Sequence, residues 1–327
     1  MQTKYIGLDA HSSTCTFCVL DLQGVELETR TIITNGRLII DYVKSLGKDI
    51  HIAFEECDIS FWLFDILYKH VSKIIVCNPT ANVQYKRAKT DKLDARNLAN
   101  LLRGGYLKPV FHDGSIREKF RMLVSAYEDT VEESTRIKNR IKAIKRRTRS
   151  GVKDPVDADA VFVLKQFNER LEDIHRMCDE YKDKLTVQVK HFKETKYLVS
   201  IPGIKYIQAS KIIAQVVDPR RFKTKYKFFA YCGLVKHPRL SARRSYGSVR
   251  IFGNRMLKCV FKMASHAALK GDGCLRQQYD DLRAKGLADK SAKNAVARKI
   301  AAITLSVWRN KKLFNEQMIL KSLPAKG

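Results

Sequence analysis

The apolar residues of this 327-residue chain keep two different periods, and the switch between them limits what the chain can fold into. Up to about residue 105, short apolar runs of strand length alternate with segments of helical spacing. Tyr5–Asp9, Thr16–Leu20 and Val25–Ile33 read as three strands joined by short polar or glycine-containing turns. A helix over about Leu38–Leu46 follows, then a strand His51–Glu55, a helix around Trp62–His70, a strand Lys73–Cys77 ended by Asn78-Pro79, and a helix Asp91–Arg103 stopped by Gly104-Gly105. From Phe120 the apolar steps become three and four: Phe120, Leu123, Tyr127, Thr130, Ser134, Ile137, Ile141 and Ile144. The same spacing returns in Leu164, Phe167, Leu171, Ile174, Cys178, Tyr181 and Leu185. Two long helices joined by a loop holding Gly151 and Pro155 should therefore form an antiparallel hairpin or a dimerising coiled coil. A third region opens at Leu198-Val-Ser-Ile-Pro-Gly-Ile204 and ends in a helix over about Ser291–Trp308 whose apolar face packs a core.

The order β-β-β-α-β-α-β-α of the first hundred residues is that of an RNase H-like α/β domain, although other α/β folds share most of it. Charge divides the chain in the same places. The whole carries 62 Lys+Arg against 34 Asp+Glu, a net +28, which favours phosphate partners because each neutralised phosphate releases a condensed counterion. A membrane surface is the weaker alternative: no apolar run approaches a membrane span and no signal-peptide pattern opens the chain, so a cytoplasmic protein is expected. The first 65 residues are nonetheless acidic. Pro219 to Lys270, by contrast, holds no acid among its many Lys and Arg residues, and none occurs from Ser134 to Ser150. That second stretch holds Arg136, Lys138, Arg140, Lys142, Lys145, Arg146, Arg147 and Arg149. It is either a solvated helix face or a nucleic-acid clamp, and the total charge favours the clamp.

The eight cysteines are scattered through a long chain and read as reduced, mostly buried thiols. Cys15-Thr-Phe-Cys18 has zinc-ligand spacing, but residues i and i+3 of a strand face opposite ways. Ile201-Pro-Gly-Ile204 resembles a helix-hairpin-helix turn in which Gly203 lets backbone N–H groups approach a phosphate; an ordinary helix connection has the same residues.

The chemistry lies with the acids. Asp9 ends the first strand and Glu55 the fourth, which are adjacent and central in an RNase H-like sheet. Asp91 and Asp94 are three apart at a helix start, on one face, with Thr90 as its cap. Four carboxylates meeting at one sheet edge would suit two-metal phosphoryl transfer, in which hard Mg²⁺ ions are held by oxygen ligands. Each acid also has an ordinary reading: Asp is favoured at a helix start, and Glu56 or Asp58 could stand in for Glu55. Asp9 is the hardest to explain away, because an acid following Ile6-Gly-Leu8 on a buried strand is unfavourable without a partner.

The motifs Ile6-Gly-Leu-Asp-Ala-His11, Ala53-Phe-Glu55, Val76-Cys-Asn-Pro79, Lys89-Thr-Asp-Lys-Leu-Asp-Ala95, Ile201-Pro-Gly-Ile204, Phe229-Ala-Tyr-Cys-Gly-Leu234 and Gly253-Asn254 run in the order found in a known family. In them the chain resembles the insertion sequence 110 transposases, the DEDD group that includes the Piv-type DNA invertases. The resemblance implies a RuvC-like DEDD catalytic domain over residues 1–110, a coiled-coil hairpin over 111–195 and a C-terminal transposase domain over 196–327 that supplies a serine. It implies that Asp9, Glu55, Asp91 and Asp94 bind Mg²⁺, as two ions, and that a serine attacks double-stranded DNA, at element ends and target, to give a covalent phosphoserine intermediate. Family members work as dimers pairing into tetramers, and at least some use an element-encoded guide RNA. Among Ser241, Ser245 and Ser248, Ser241 fits the family serine best, with Arg243 and Arg244 beside it. Ala242 stands where glycine commonly follows that serine, and Phe252 stands where a basic residue usually precedes Gly253-Asn254. A RuvC-like nuclease or resolvase using water, and a non-catalytic nucleic-acid-binding protein, are the competing readings.

Overall fold

The computed structural model describes residues 3–79, 90–147, 158–241, 244–250 and 253–317. Lys89, Arg149, Gly151, Pro155, Ala242, Arg243 and Phe252, all used above, lie outside the described residues. The chain divides into two compact units, Met1–Ser115 and Ile116–Gly327.

The first unit is a mixed five-stranded sheet. Strands β1 (Lys4–Ala10), β2 (Thr14–Leu20) and β3 (Glu26–Ile33) form an antiparallel meander, and β4 (Ile50–Glu55) and β5 (Lys73–Cys77) continue it in parallel, in the order β3-β2-β1-β4-β5. The helices between them are α1 (Gly36–Ser45), α2 (Ser60–Leu67) and α3 (Asp91–Gly104), so the element order expected from the sequence is the one found. Ends differ by a turn or less. Helix α1 begins before Leu38 because Asn35 caps it, its Oδ1 accepting from the amides of Arg37 and Leu38 at 3.0 and 3.3 Å. Helix α2 stops short of His70, whose amide turns back to the Leu67 carbonyl.

Period-two alternation gives the sheet two unlike faces. Ile6, Leu8, Ile52 and Phe54 point to one side and pack with Ile39 and Val43 of α1 and Leu63 and Leu67 of α2. The other side presents Gly7, Cys18 and Ala53, all small, beneath Ala95, Ala99 and Leu98 of α3. Cys15 and Cys18 fall in the two different cores, as strand geometry requires, so they cannot ligate one ion. All eight cysteines are free thiols.

The second unit is helical around one hairpin. Helices α4 (Ile116–Arg147) and α5 (Ala158–Val189) are each 32 residues long and bury Phe120, Val124, Tyr127, Ile137 and Ile141 with Ile174, Cys178, Leu185 and Val189. Arg170 pairs with Glu133, while Tyr127 lies near Cys178 and Lys182, so the two helices run antiparallel. The same core continues into α6 (Thr195–Val199), α7 (Tyr206–Val216), α8 (Lys225–Tyr231), α9 (Arg255–Ala268), α10 (Cys274–Ala284) and α11 (Asp289–Asn310). Ion pairs Arg117–Glu194 and Lys211–Glu128 tie α4 to the segments after α5. A two-stranded hairpin, β6 (Lys236–Ser241) and β7 (Arg244–Arg250), stands before α9. No helix among the described residues is long and apolar enough to cross a membrane.

Helix α3 lies on β1 with no room for a side chain between them at Gly7. A Cβ on Gly7 would fall onto the carbonyl of Ala95 and the amide of Ala99, both fixed in the helix. Gly7→Ala should therefore destabilise the first unit by about 3 kcal/mol, the upper range for an overpacked core, measured as a lower urea midpoint. An unchanged midpoint would mean that α3 can move away from the strand freely.

Candidate metal centre

Residues 7, 9 and 11 share one face of β1 and its extension, because alternate residues of a strand point the same way. Gly7 makes room for α3, and Asp9 comes two residues later, beside the start of that helix. On the neighbouring strand Leu8 is in register with Phe54, so Asp9 and Glu55 follow side by side at the ends of β1 and β4. Both continue the face occupied by Gly7 and Ala53. Thr90 caps α3, its Oγ1 accepting from the Leu93 amide at 3.3 Å, which sets Asp91 and Asp94 in the first helical turn.

Ligand atoms of Asp9, His11 and Asp91 all lie within 4.8 Å of one another. His11 Nε2 stands 3.3 Å from Asp9 Oδ2, an imidazole N–H donating to the carboxylate. Asp9, His11, Glu55, Glu56 and Asp58 line one cavity of about 310 Å³. Asp94 is close enough for its charge to act on Asp9. Of the four predicted acids, then, Asp9 and Asp91 come together directly, Glu55 faces the same cavity as Asp9, and Asp94 stands in the same helical turn as Asp91. Glu56 and Asp58 share the cavity as exposed residues.

His11 is the residue that sequence reasoning passed over. It stood in the quoted motif, and its signal was spacing: two residues after Asp9, on the same side of a strand, a histidine faces whatever the aspartate faces. The donor set of several carboxylates and one imidazole, gathered at the rim of a cavity, suits a divalent cation.

The basic candidates are distributed differently. Arg140, Lys142 and Arg146 are exposed along α4, while the side chain of Arg147 lies outside the described atoms. In the β6–β7 hairpin Ser241 is registered with Arg244, Leu240 with Ser245 and Pro238 with Ser248, so Ser241 ends its strand at the turn whereas Ser245 and Ser248 lie within the ladder. The side chains of these residues lie outside the described atoms as well. Gly203 has φ +85°, and a Cβ there would strike the Ala264 carbonyl of α9. Close packing on α9 is thus one reason for a glycine at this turn. A Cβ on Gly253 would likewise meet Gly233 and the Ala230 carbonyl. Asn254 caps α9 through the Leu257 amide at 2.9 Å and donates to Gln215 at 2.7 Å.

Burial is the main influence on Asp9 and pushes its carboxyl above the ordinary value of 3.8; His11 draws it down, and the charges of Asp91 and Asp94 push it up further. A carboxyl raised in this way supports the fold fully below 3.8, and that support is lost as pH rises through the raised folded value. In the absence of divalent metal, Asp9→Asn should therefore be more stable than the unaltered chain at about pH 7, the gap closing as pH falls below the carboxylate range. Urea midpoints across pH in the presence of a chelator measure this, and a less stable variant at neutral pH would contradict it.

Comparison with known proteins bears on the family of the chain. Residues 6–148 match the DEDD IS110 transposase family model, and residues 195–280 match the model described as "Transposase IS116/IS110/IS902 family". The "Putative transposase y4pF/y4sB" of Sinorhizobium fredii (strain NBRC 101917 / NGR234) is 24% identical over 330 residues, covering 90% of this chain and 80% of the relative. The "Insertion element IS116 uncharacterized 44.8 kDa protein" of Streptomyces clavuligerus is 29% identical over 117 residues, 35% of this chain and 29% of that protein. Two family models in succession, spanning both the sheet that carries the acids and the helices around the hairpin, place the chain in the IS110/IS116/IS902 family of transposases.

Proposed function

We propose that the chain cuts and rejoins DNA at the ends of an insertion element, with an RNase H-like, RuvC-like catalytic domain over residues 1–110. The observation that carries this reading is the convergence of Asp9, His11 and Asp91 within 4.8 Å, at the end of β1 and the start of α3. Asp9, Glu55, Asp91 and Asp94 would hold Mg²⁺, as two ions, with His11 as a further donor. Bound there, the metal would stabilise negative charge on the attacking and leaving oxygens. Residues 111–195 act as the helical hairpin and 196–327 as the C-terminal transposase domain.

Ser241 is the proposed nucleophile, which its place at the hairpin turn supports. A serine hydroxyl is weakly nucleophilic at neutral pH and must lose its proton as it attacks. Its oxygen forms a bond to phosphorus as the bond from phosphorus to a DNA sugar oxygen breaks; that oxygen takes up one proton to become a free hydroxyl, balancing the proton given up by serine, and Arg243 and Arg244 offset the charge gathering on the phosphoryl oxygens. The resulting phosphoserine diester retains the free energy of the broken DNA bond for rejoining, which water attack would discard. Arg140, Lys142, Arg146 and Arg147 would hold phosphates of the duplex, with Gly203 at a backbone contact. The protein would act as dimers pairing into a tetramer on DNA. Adding RNA transcribed from the element's flanking non-coding DNA tests for a guide.

Asp9→Asn and Asp94→Asn should each abolish strand cleavage in gel assays while leaving DNA binding within a few-fold, because the lost groups hold metal rather than a core. Cleavage persisting in both would remove the metal site. With cognate DNA and Mg²⁺, a denaturant-resistant protein–DNA adduct should map to the peptide containing Ser241 and vanish in Ser241→Ala but not in Ser245→Ala. Efficient cleavage with no adduct would favour hydrolysis by water. Removing Arg146 and Arg147 together should flatten the salt dependence of duplex binding by about two units.

A further inference from the structure

We infer that a groove in the second unit, where α5 gives way to α6 and α7 begins, seats a single strand of nucleic acid. The groove encloses about 420 Å³, and Lys190, Lys193, Lys196, Phe192, Tyr197 and Tyr206 are among its lining residues. None of them belongs to the carboxylate site or to the basic run on α4.

Charge is the first reason. Lys190, Lys193 and Lys196 are exposed and, among the described residues, make no salt bridge. The one acid between residues 190 and 206, Glu194, is 5% exposed and paired with Arg117, so it leaves the three ammonium groups uncompensated. Two of them rest on aromatic faces: Lys190 Nζ stands 5.2 Å above the Tyr206 ring and Lys196 Nζ 5.1 Å above the Tyr197 ring.

Shape and rigidity are the second. Phe192 packs on Phe120 at 5.1 Å between ring centroids, and Thr195 Oγ1 donates to the Val189 carbonyl at 2.5 Å, so the walls are held by the core. Tyr206, 39% exposed, is the first residue of α7 and offers a ring to the groove. Cationic and aromatic side chains side by side in one groove match a strand whose phosphates meet lysines and whose bases stack on tyrosine. A duplex keeps its base faces covered and would leave the rings unused. An acidic protein segment would satisfy the lysines and leave the rings unused. The inference rests on the transposase reading to this extent, that strand exchange exposes unpaired strands.

The test uses the full chain and fluorescence anisotropy with labelled oligothymidylate and oligouridylate of about fifteen nucleotides, a mixed-sequence duplex of the same length, and polyglutamate as competitor. The triple variant Lys190→Ala, Lys193→Ala, Lys196→Ala should weaken single-strand binding and reduce its salt slope by about two units. Tyr206→Ala should weaken it roughly tenfold with the slope unchanged, and Tyr206→Phe should restore it. Duplex affinity should stay within twofold in all of them, and whichever of the two homopolymers binds more tightly identifies DNA or RNA as the occupant. Single-strand affinity that ignores Tyr206→Ala, duplex affinity that falls in parallel, or polyglutamate competing as well as oligothymidylate would each overturn the inference. Duplex cleavage with an inert groove would overturn it alone, whereas a chain that binds no nucleic acid would overturn the transposase reading with it.

Discussion

The contact between β1 and α3 at Gly7 governs the first unit. Because no side chain separates them, the strand carrying Asp9 and the helix carrying Asp91 and Asp94 lie against each other backbone to backbone. Where the helix crosses nearest the acids, the sheet face presents the small residues Gly7, Cys18 and Ala53, with Leu20 and Tyr5 further along it, and the helix answers with Ala95 and Ala99. The opposite face is filled with Ile6, Leu8, Ile52 and Phe54. A bulky layer under α3 would lift its first turn away from the strand ends and separate the acids. The unit thus carries most of its large apolar side chains on the side away from the site, and keeps the side of the site thin.

The second unit uses the same device for a different end. Gly203 meets Ala264 of α9, and Gly253 meets Gly233 and Ala230, so chain segments far apart in sequence touch through their backbones. Asn254 joins this contact by capping α9 and donating to Gln215, whose backbone carbonyl accepts from the Tyr231 hydroxyl at 2.9 Å. Several motifs that carry the family resemblance are therefore folding contacts. They hold the helices around the β6–β7 hairpin, and the chemistry assigned to that hairpin depends on them only through position.

Much of this was legible in the residues. Short apolar runs broken by turns located all five strands of the first unit, because the turns here carry Gly, Asn and Pro, although the edge strand β3 is largely exposed. The heptad spacing located α4 and α5 for the same kind of reason, since one helix stripe must face its partner. Helix ends were less legible where a side-chain cap set them, as at Asn35. Within the site, Asp9, Asp91 and Asp94 could be read from strand and helix ends. His11 was not read, because a histidine beyond a strand end is ordinary until the neighbouring helix is known to approach. The lysine and tyrosine groove was equally hidden, since its residues come from α5, α6 and α7 and no spacing in the sequence brings them together.

By itself, the sequence determined the alternation of elements, the acidic first part and basic remainder, and the order of motifs that identifies the family. These follow from local propensity, composition and periodicity, which need no knowledge of what packs on what. Tertiary structure decided which acids share a space, that His11 joins them, and that Glu194 is buried and paired while its lysine neighbours stay open. It also decided why three glycines are glycines. Each of these is a matter of distance between segments remote along the chain, and such distances are set by side-chain volume at crossings, as at Gly7 against Ala95 and Ala99.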